Sequence, residues 1–348
     1  MPDAHRAART ARTAGVTVGI MANMVWGLGY LIPVLLSAFS PVAITVGRYL
    51  SYGLISLGIV FVAGRGMRYR ARVWWVAVQF AISGNIVYYF SIVLGVSLVG
   101  APVVAVILGT LPVTVTLYAN RRHRDYPFRA LIPALLLIGF GLVVVNALEV
   151  DWSGLGEHSV GDQLVGIGCA VLSLALWTWF SVANSTFLKA NPEISPAEWS
   201  TVIGVVAFGL SVALVPVMLA NGGGGVLGGL LAPSTPEAAP RPSWWWLVVG
   251  AVILGVLVSW FATLLWNRAS VMLPMALAGQ LIVFETLSGL GYVFAVTGRV
   301  PPLPEFAGIA MVIGGVLLGL RRARTADQAP REALIGERER RTATVFDR

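Results

Sequence analysis

Residues 244–267 read WWWLVVGAVILGVLVSWFATLLWN, an unbroken apolar run without Asp, Glu, Lys or Arg. A helix of about 20 such residues crosses the hydrocarbon of a bilayer. Nine further segments share this character: 14–36, 41–63, 74–96, 100–119, 130–147, 162–185, 197–219, 271–296 and 303–320. In chain order the ten are helices 1 to 10, with 244–267 as helix 8. A transmembrane barrel needs alternating stretches of about ten residues, and these runs do not alternate. In lipid a lone segment satisfies its own backbone only as a helix. The sequence therefore predicts an all-α integral membrane protein with ten transmembrane helices.

Composition agrees. The 348 residues are 57% hydrophobic and 11% charged, and mean hydropathy is +0.80. A soluble chain carries about 25% charged residues, so soluble enzymes, nucleic-acid binders and disordered proteins are excluded. The net charge of +8 lies in short loops and a tail rather than in a nucleic-acid-binding patch. Cys169 is the only cysteine, and His5, His123 and His158 are far apart. No Cys-based metal site exists, and neither a metal nor a cofactor is expected. Arg6, Arg9 and Arg12 precede the first apolar run as they would in a signal peptide, but that run is longer than an ordinary h-region. It reads as an uncleaved first helix.

The basic residues orient the bundle. One side has Arg6, Arg9, Arg12, Arg65, Arg68, Arg70, Arg72, Arg121, Arg122, Arg124, Arg129, Lys189, Arg268 and eight tail arginines. The other has only Arg241 and Arg299, and Arg48 is inside helix 2. Both termini are thus expected in the cytoplasm of a bacterial inner membrane, with an even number of spans. The segment 220–243, with Gly222 to Gly225 and several prolines, reads as a flexible external loop. Residues 1–13 form a cytoplasmic N-terminus and 321–348 a disordered cytoplasmic tail.

Two halves echo each other, 14–147 (helices 1–5) and 162–320 (helices 6–10). Ser40-Pro41 opens helix 2 and Ser195-Pro196 opens helix 7, with proline at a position that costs no hydrogen bond. Tight turns near Gly100-Ala101-Pro102 and Pro274 join helices 3 to 4 and 8 to 9. Gly139 and Gly141 in helix 5 match Gly314 and Gly315 in helix 10. Five helices per half is an odd number, so the second half enters from the opposite side. The expected architecture is two inverted five-helix repeats, with a site at their interface.

Over about residues 14–320 the chain resembles the EamA-type permeases of the drug/metabolite transporter superfamily. The resemblance rests on Trp26-Gly27, Pro41 with Gly47-Arg48-Tyr49, Gly109-Thr110-Leu111-Pro112, Trp177-Thr178-Trp179, Phe284-Glu285, Gly308-Ile309-Ala310 and Gly314-Gly315-Val316. Thr286 stands where the family often has proline after the glutamate. A poorly characterised bacterial inner-membrane branch is more similar still. It shares stretches like Gly84-Asn85, Tyr88-Tyr89, Gly100-Ala101-Pro102-Val103, Trp266-Asn267-Arg268-Ala269-Ser270 and Leu281-Ile282-Val283-Phe284-Glu285-Thr286-Leu287. The resemblance implies ten helices, cytoplasmic termini and a central cavity, but leaves the substrate open among amino acids, sugars, nucleosides and drugs.

Two ionisable residues are well inside spans, Arg48 about 10 Å deep and Glu285 about 16 Å deep at 1.5 Å per residue. Such charges are rare and face a partner or a cavity. Proton coupling and a structural ion pair are both open readings of Glu285 and Arg48. The candidate substrate-binding residues are Trp26, Asn85, Tyr89, Trp177, Asn267 and Gln280. Their alternative roles are helix–helix hydrogen bonding for the amides and packing for the aromatics. Trp74, Trp75 and Trp244 to Trp246 sit at span ends as interface anchors.

HExxH, GxSxG and Walker A motifs are absent, so no enzyme is expected and gradients must drive any transport. The expected partners are a small-molecule solute, protons and the lipid bilayer, with no nucleic acid. The expected function is a secondary transporter exporting a small, amino acid-like metabolite, with a non-transporting scaffold or sensor as the alternative. Reporter fusions test the orientation. Those at Arg72, Arg124 and the C-terminus should report cytoplasm, and those near Gly154 and Gly223 the outside. A C-terminal reporter found outside would overturn it.

Overall fold

The computed structural model describes residues 2–36, 39, 41–63, 69–99, 101–147, 159–220, 243–298, 300 and 302–322. The segment 221–242, the tail 323–348 and Gly100 lie outside them. Among the described residues there is no strand, and ten helices are long and apolar enough to cross a membrane. They are α1 (Thr10–Leu35), α2 (Ala43–Ala63), α3 (Ala71–Val96), α4 (Val103–His123), α5 (Phe128–Val145), α6 (Val160–Ala190), α7 (Pro196–Ala213), α8 (Trp244–Met272), α9 (Met275–Thr297) and α10 (Leu303–Arg322). The chain is thus an all-α, multi-pass membrane protein. Large apolar side chains such as Phe61, Leu136, Phe140 and Leu164 are exposed, as lipid-facing residues must be. Trp75 and Trp244 to Trp246 are exposed at helix ends, the placement of interface anchors.

Several boundaries differ from the sequence reading, for local reasons. α6 runs to Ala190 rather than 185, and Lys189 Nζ donates to the Leu273 carbonyl at 2.8 Å. This polar tip, reaching across to the end of α8, lets the helix extend into the interface. α8 continues to Met272, and α9 begins only after Pro274. α7 begins at Pro196 with a reciprocal cap. Glu198 N–H donates to Ser195 Oγ at 3.2 Å, and Ser195 N–H donates to Glu198 Oε2 at 3.0 Å.

Among the described residues four helices are irregular, and they are related pairs. α3 has a π-helical turn at Ile82–Ile86 and α8 one at Ile253–Phe261. α4 breaks at Gly109-Thr110 and α9 breaks at Ile282. These are the third and fourth helices of each half. The packing has the same pairing. α1 lies along α8 and α9, while α6 lies along α3 and α4. α2 packs on α7 and α8, α3 also on α7, and α4 on α9. Each contact between halves is matched by its repeat-related contact or is its own match. The two halves interleave, and the pseudo-symmetric centre lies among α1, α3, α6 and α8.

Glycines set the closest approaches, because backbone packing replaces the hydrophobic drive that lipid removes. α5 and α10 cross where a Cβ on Gly141 would lie 2.7 Å from Gly308 O and 2.8 Å from Val312 Cγ2. A Cβ on Gly139 would meet only Val113 Cγ2 at 3.6 Å. Gly141→Ala should therefore cost about 1–3 kcal/mol by overpacking and lower the melting temperature of detergent-purified protein. Gly139→Ala should leave it near the parental value. Equal effects of the two would dispute the α5–α10 crossing.

Candidate functional site

At the centre, three tryptophans from three helices touch. Trp26 (α1) lies 5.7 Å from Trp177 (α6) and 5.4 Å from Trp266 (α8), and the last two are 6.0 Å apart between ring centroids. Tyr88 (α3) adds a fourth ring, 6.4 Å from Trp177. The four helices are two repeat-related pairs, so the ring sits where the halves meet. Trp26 and Tyr88 are partly buried, Trp177 is buried and Trp266 is fully buried. The buried Nε1–H of Trp266 has no hydrogen-bond partner among the described residues. Orphaned buried donors are uncommon in folded proteins, and this one belongs to the ring.

Arg48 and Glu285 stand beside the ring but are not joined in an ion pair. Arg48 Nε donates to Ser259 Oγ on α8 at 2.8 Å. Its guanidinium lies 5.6 Å from the Tyr49 ring centroid and 5.9 Å from that of Tyr89, within cation–π range. Ser259 Oγ donates to the Leu254 carbonyl at 3.0 Å, five residues back in the π-helical segment. Glu285 (α9) has its electrostatic neighbours on three other helices: Arg48 on α2, Tyr30 on α1 and Tyr88 on α3. It keeps part of its surface accessible. Neighbours on three helices place the carboxylate toward the bundle interior rather than the lipid. α9 approaches α1 closely here, since a Cβ on Gly27 would lie 3.1 Å from Glu285 O and 2.8 Å from Gly289 N.

The π-helical turn of α3 contributes a backbone group. Tyr49 O–H donates to the Asn85 carbonyl at 3.0 Å. Asn85 is partly buried, and its side-chain amide makes no hydrogen bond among the described residues. Of the six candidate substrate-binding residues, the structure thus groups Trp26, Trp177, Asn85 and Tyr89 with Arg48.

Asn267 and Gln280 lie elsewhere. Asn267 is fully buried, accepts from Asn184 Nδ2 at 2.7 Å and donates to Ser200 Oγ at 3.2 Å. Asn184 Oδ1 in turn accepts from Trp199 Nε1 at 2.7 Å. This network ties α6, α7 and α8 together. Gln280, fully buried ahead of the break in α9, donates to the Ala276 carbonyl at 3.4 Å and packs on Gly319 of α10.

Sequence reasoning passed over Ser259 and Tyr49 as site residues. The signals that could have found them were, for Tyr49, adjacency to Arg48 and, for Ser259, a hydroxyl in the middle of an otherwise apolar helix 8. It also passed over Glu305, which is fully buried near the start of α10, because it sits so near a span end.

No family model matches the sequence. The inner membrane protein YtfF of Escherichia coli K12 is 34% identical over 317 residues, covering 88% of this chain and 95% of that protein. A protein crystal structure superposes with a TM-score of 0.68 at 18% identity, covering 89% of this chain and 98% of the other. At that identity the likeness concerns the fold alone.

The two kinds of amide separate by experiment. Asn184→Ala leaves the Trp199 and Asn267 groups unpaired in the interior and should cost about 1–3 kcal/mol, read as a lower melting temperature in detergent. Asn85→Ala should leave the melting temperature nearly unchanged. A large loss for Asn85→Ala would make that residue a packing amide.

Proposed function

We propose that this chain, which belongs to the family of the inner membrane protein YtfF, is a secondary transporter that exports a small organic metabolite across the inner membrane. The observation that carries the reading is the ring of Trp26, Tyr88, Trp177 and Trp266, built from α1, α3, α6 and α8, with Arg48 and Glu285 beside it. A site shared by both halves can be opened to either side when the halves rock about it, as alternating access requires. The finer assignment, an EamA-type permease of the drug/metabolite transporter superfamily, is supported by the stretches around Trp26-Gly27, Gly47-Arg48-Tyr49 and Phe284-Glu285.

The side chains suggest the solute's chemistry. Aromatic faces suit an apolar or cationic body. The guanidinium of Arg48 suits a carboxylate, which it can bind through two parallel N–H donors. Glu285 suits an ammonium group or a proton, and the Trp266 N–H offers one donor to a solute oxygen. Together they fit an amphipathic, amino acid-like metabolite. The proposal contains no enzymatic step and no cofactor. Glu285 would couple export to inward proton flow, the solute and the proton competing for one state of the cavity.

Reconstituted vesicles with an imposed pH gradient test this, once metabolite profiling of overexpressing cells has supplied a substrate. Glu285→Gln should abolish accumulation against the gradient, while exchange of substrate for substrate survives. A Gln variant that accumulates substrate as well as the parent would remove Glu285 as the coupling site.

A further inference from the structure

A recess opens at the end of the bundle that the basic residues are expected to place in the cytoplasm. It is a groove of about 710 Å³ between the start of α3 and the end of α6, lined among others by Arg70, Arg72, Val76, Phe187, Asn191 and Glu193. Arg70 and Arg72 are exposed at its rim, and Phe187 is partly buried in its wall. Among the lining residues two cations stand against one carboxylate, with Glu198 an electrostatic neighbour of Tyr69 in the same wall, and Val76 and Phe187 give the groove an apolar floor.

The floor leads inward. Phe187 stacks on Trp199 at 4.5 Å, and Phe80 sits at the hub of a plug. Its ring is 5.6 Å from Phe180, 6.2 Å from Phe187 and 6.0 Å from Trp199. Phe180 lies 6.3 Å from Trp177, which belongs to the central ring. Phe80, Phe180 and Trp199 are all buried. Two antiparallel helices give the same order from cytoplasm to centre. On α3 it is Arg72 and Val76, then Phe80, then Tyr88. On α6, with Asn191 just past its end, it is Phe187, then Phe180, then Trp177. From Phe80 to Tyr88 the helix rises about 10 Å, the π-helical turn counting as one inserted residue.

We propose that this groove is the loading site for the transported solute, selecting organic anions and carboxylate-bearing molecules through Arg70 and Arg72, and that Phe80 is the seal between it and the central ring. The inference rests on the transport reading for its biological sense, but its physical content stands on the groove and the plug. Two exposed guanidinium groups at the mouth of a recess with low-dielectric walls concentrate anions before they reach the seal. The plug must part for a solute to pass, so the state described here is closed toward the cytoplasm at Phe80. Gly84, one turn beyond, leaves the room that Phe180 occupies, since a Cβ there would lie 2.8 Å from the Phe180 ring.

Charged thiol reagents applied to inside-out vesicles, in a Cys169→Ser background, test both parts without any substrate. The probes are the anionic 2-sulfonatoethyl and the cationic 2-(trimethylammonio)ethyl methanethiosulfonates. For Val76→Cys in the groove, the anionic reagent should gain on the cationic one by about fivefold relative to free mercaptoethanol. Adding Arg70→Gln and Arg72→Gln should remove that gain. For Tyr88→Cys behind the plug, labelling should be slow, and Phe80→Ala should accelerate it about tenfold or more. Phe187→Ala should accelerate it in the same direction. An unchanged Val76→Cys rate in the Phe80→Ala protein shows that the groove is still folded.

A Val76→Cys rate ratio equal to that of free thiol would overturn the anion selection. Tyr88→Cys labelling that neither Phe80→Ala nor Phe187→Ala alters would overturn the seal. Failure of the transport reading is distinguishable: an intact, gated protein that moves no solute sinks that reading and leaves groove and plug in place.

Discussion

Hydrocarbon offers no hydrogen bonds, and every peptide group inside a span must find its partner in the protein. Ten helices follow from this, and so does the treatment of each place where a helix departs from regularity. In α3 the π-helical turn presents the Asn85 carbonyl, which Tyr49 of α2 satisfies. In α8 the π-helical segment presents the Leu254 carbonyl, which Ser259 satisfies while holding Arg48. At the break in α4, Thr110 Oγ1 donates to the Ile107 carbonyl at 2.7 Å. Breaks of this kind are tolerated at membrane depth only where protein or a cavity surrounds them. Their concentration in α3, α4, α8 and α9 marks the part of the bundle that does more than span.

The polar side chains divide accordingly. One group is closed upon itself: Trp199, Asn184, Asn267 and Ser200 form a chain of buried bonds that fixes α6, α7 and α8 to one another. A half-satisfied network in low dielectric would be costly, so these residues are committed to structure. The other group is left with unused capacity. Asn85 has its amide uncommitted, Trp266 its N–H, and Glu285 part of its surface. The glycine crossing of α5 and α10 lies away from both and braces the last helix of each half against the other.

Fold class was legible because the signal is long and coarse. Runs like 244–267 admit one structure in lipid whatever surrounds them. The site was legible only in part. Trp26, Trp177, Arg48 and Glu285 announce themselves because aromatic and charged residues are conspicuous in mid-span. Asn85 and Asn267 look alike in sequence, each an amide in an apolar helix, and only the packing of neighbouring helices separates them. The π-helical turns were not legible: 82–86 (ISGNI) carries Ser83, Gly84 and Asn85, but small and polar residues within a span also occur in regular helices, and 253–261 (ILGVLVSWF) is almost wholly apolar. The contact between Phe80 and Phe180 is likewise a product of how two helices align, which no local pattern encodes.

The π-helical turn in α3 also sets angular phase. Along a regular helix each residue turns about 100°, so two residues eight apart point about 80° away from each other. Phe80 and Tyr88 are eight apart and lie on either side of the turn at Ile82–Ile86. A π-turn amounts to one residue inserted into the helix, so the pair behaves as if seven apart and the divergence shrinks to about 20°. One stripe of α3 can then present Phe80 to Phe180 and Tyr88 to Trp177, both on α6. Deleting a single residue within 82–86 and restoring a regular helix would keep that alignment, since the pair would then be seven apart and diverge by the same angle of about 20°. Regularising the helix without a deletion would instead swing Tyr88 by about 100° relative to Phe80 and away from α6.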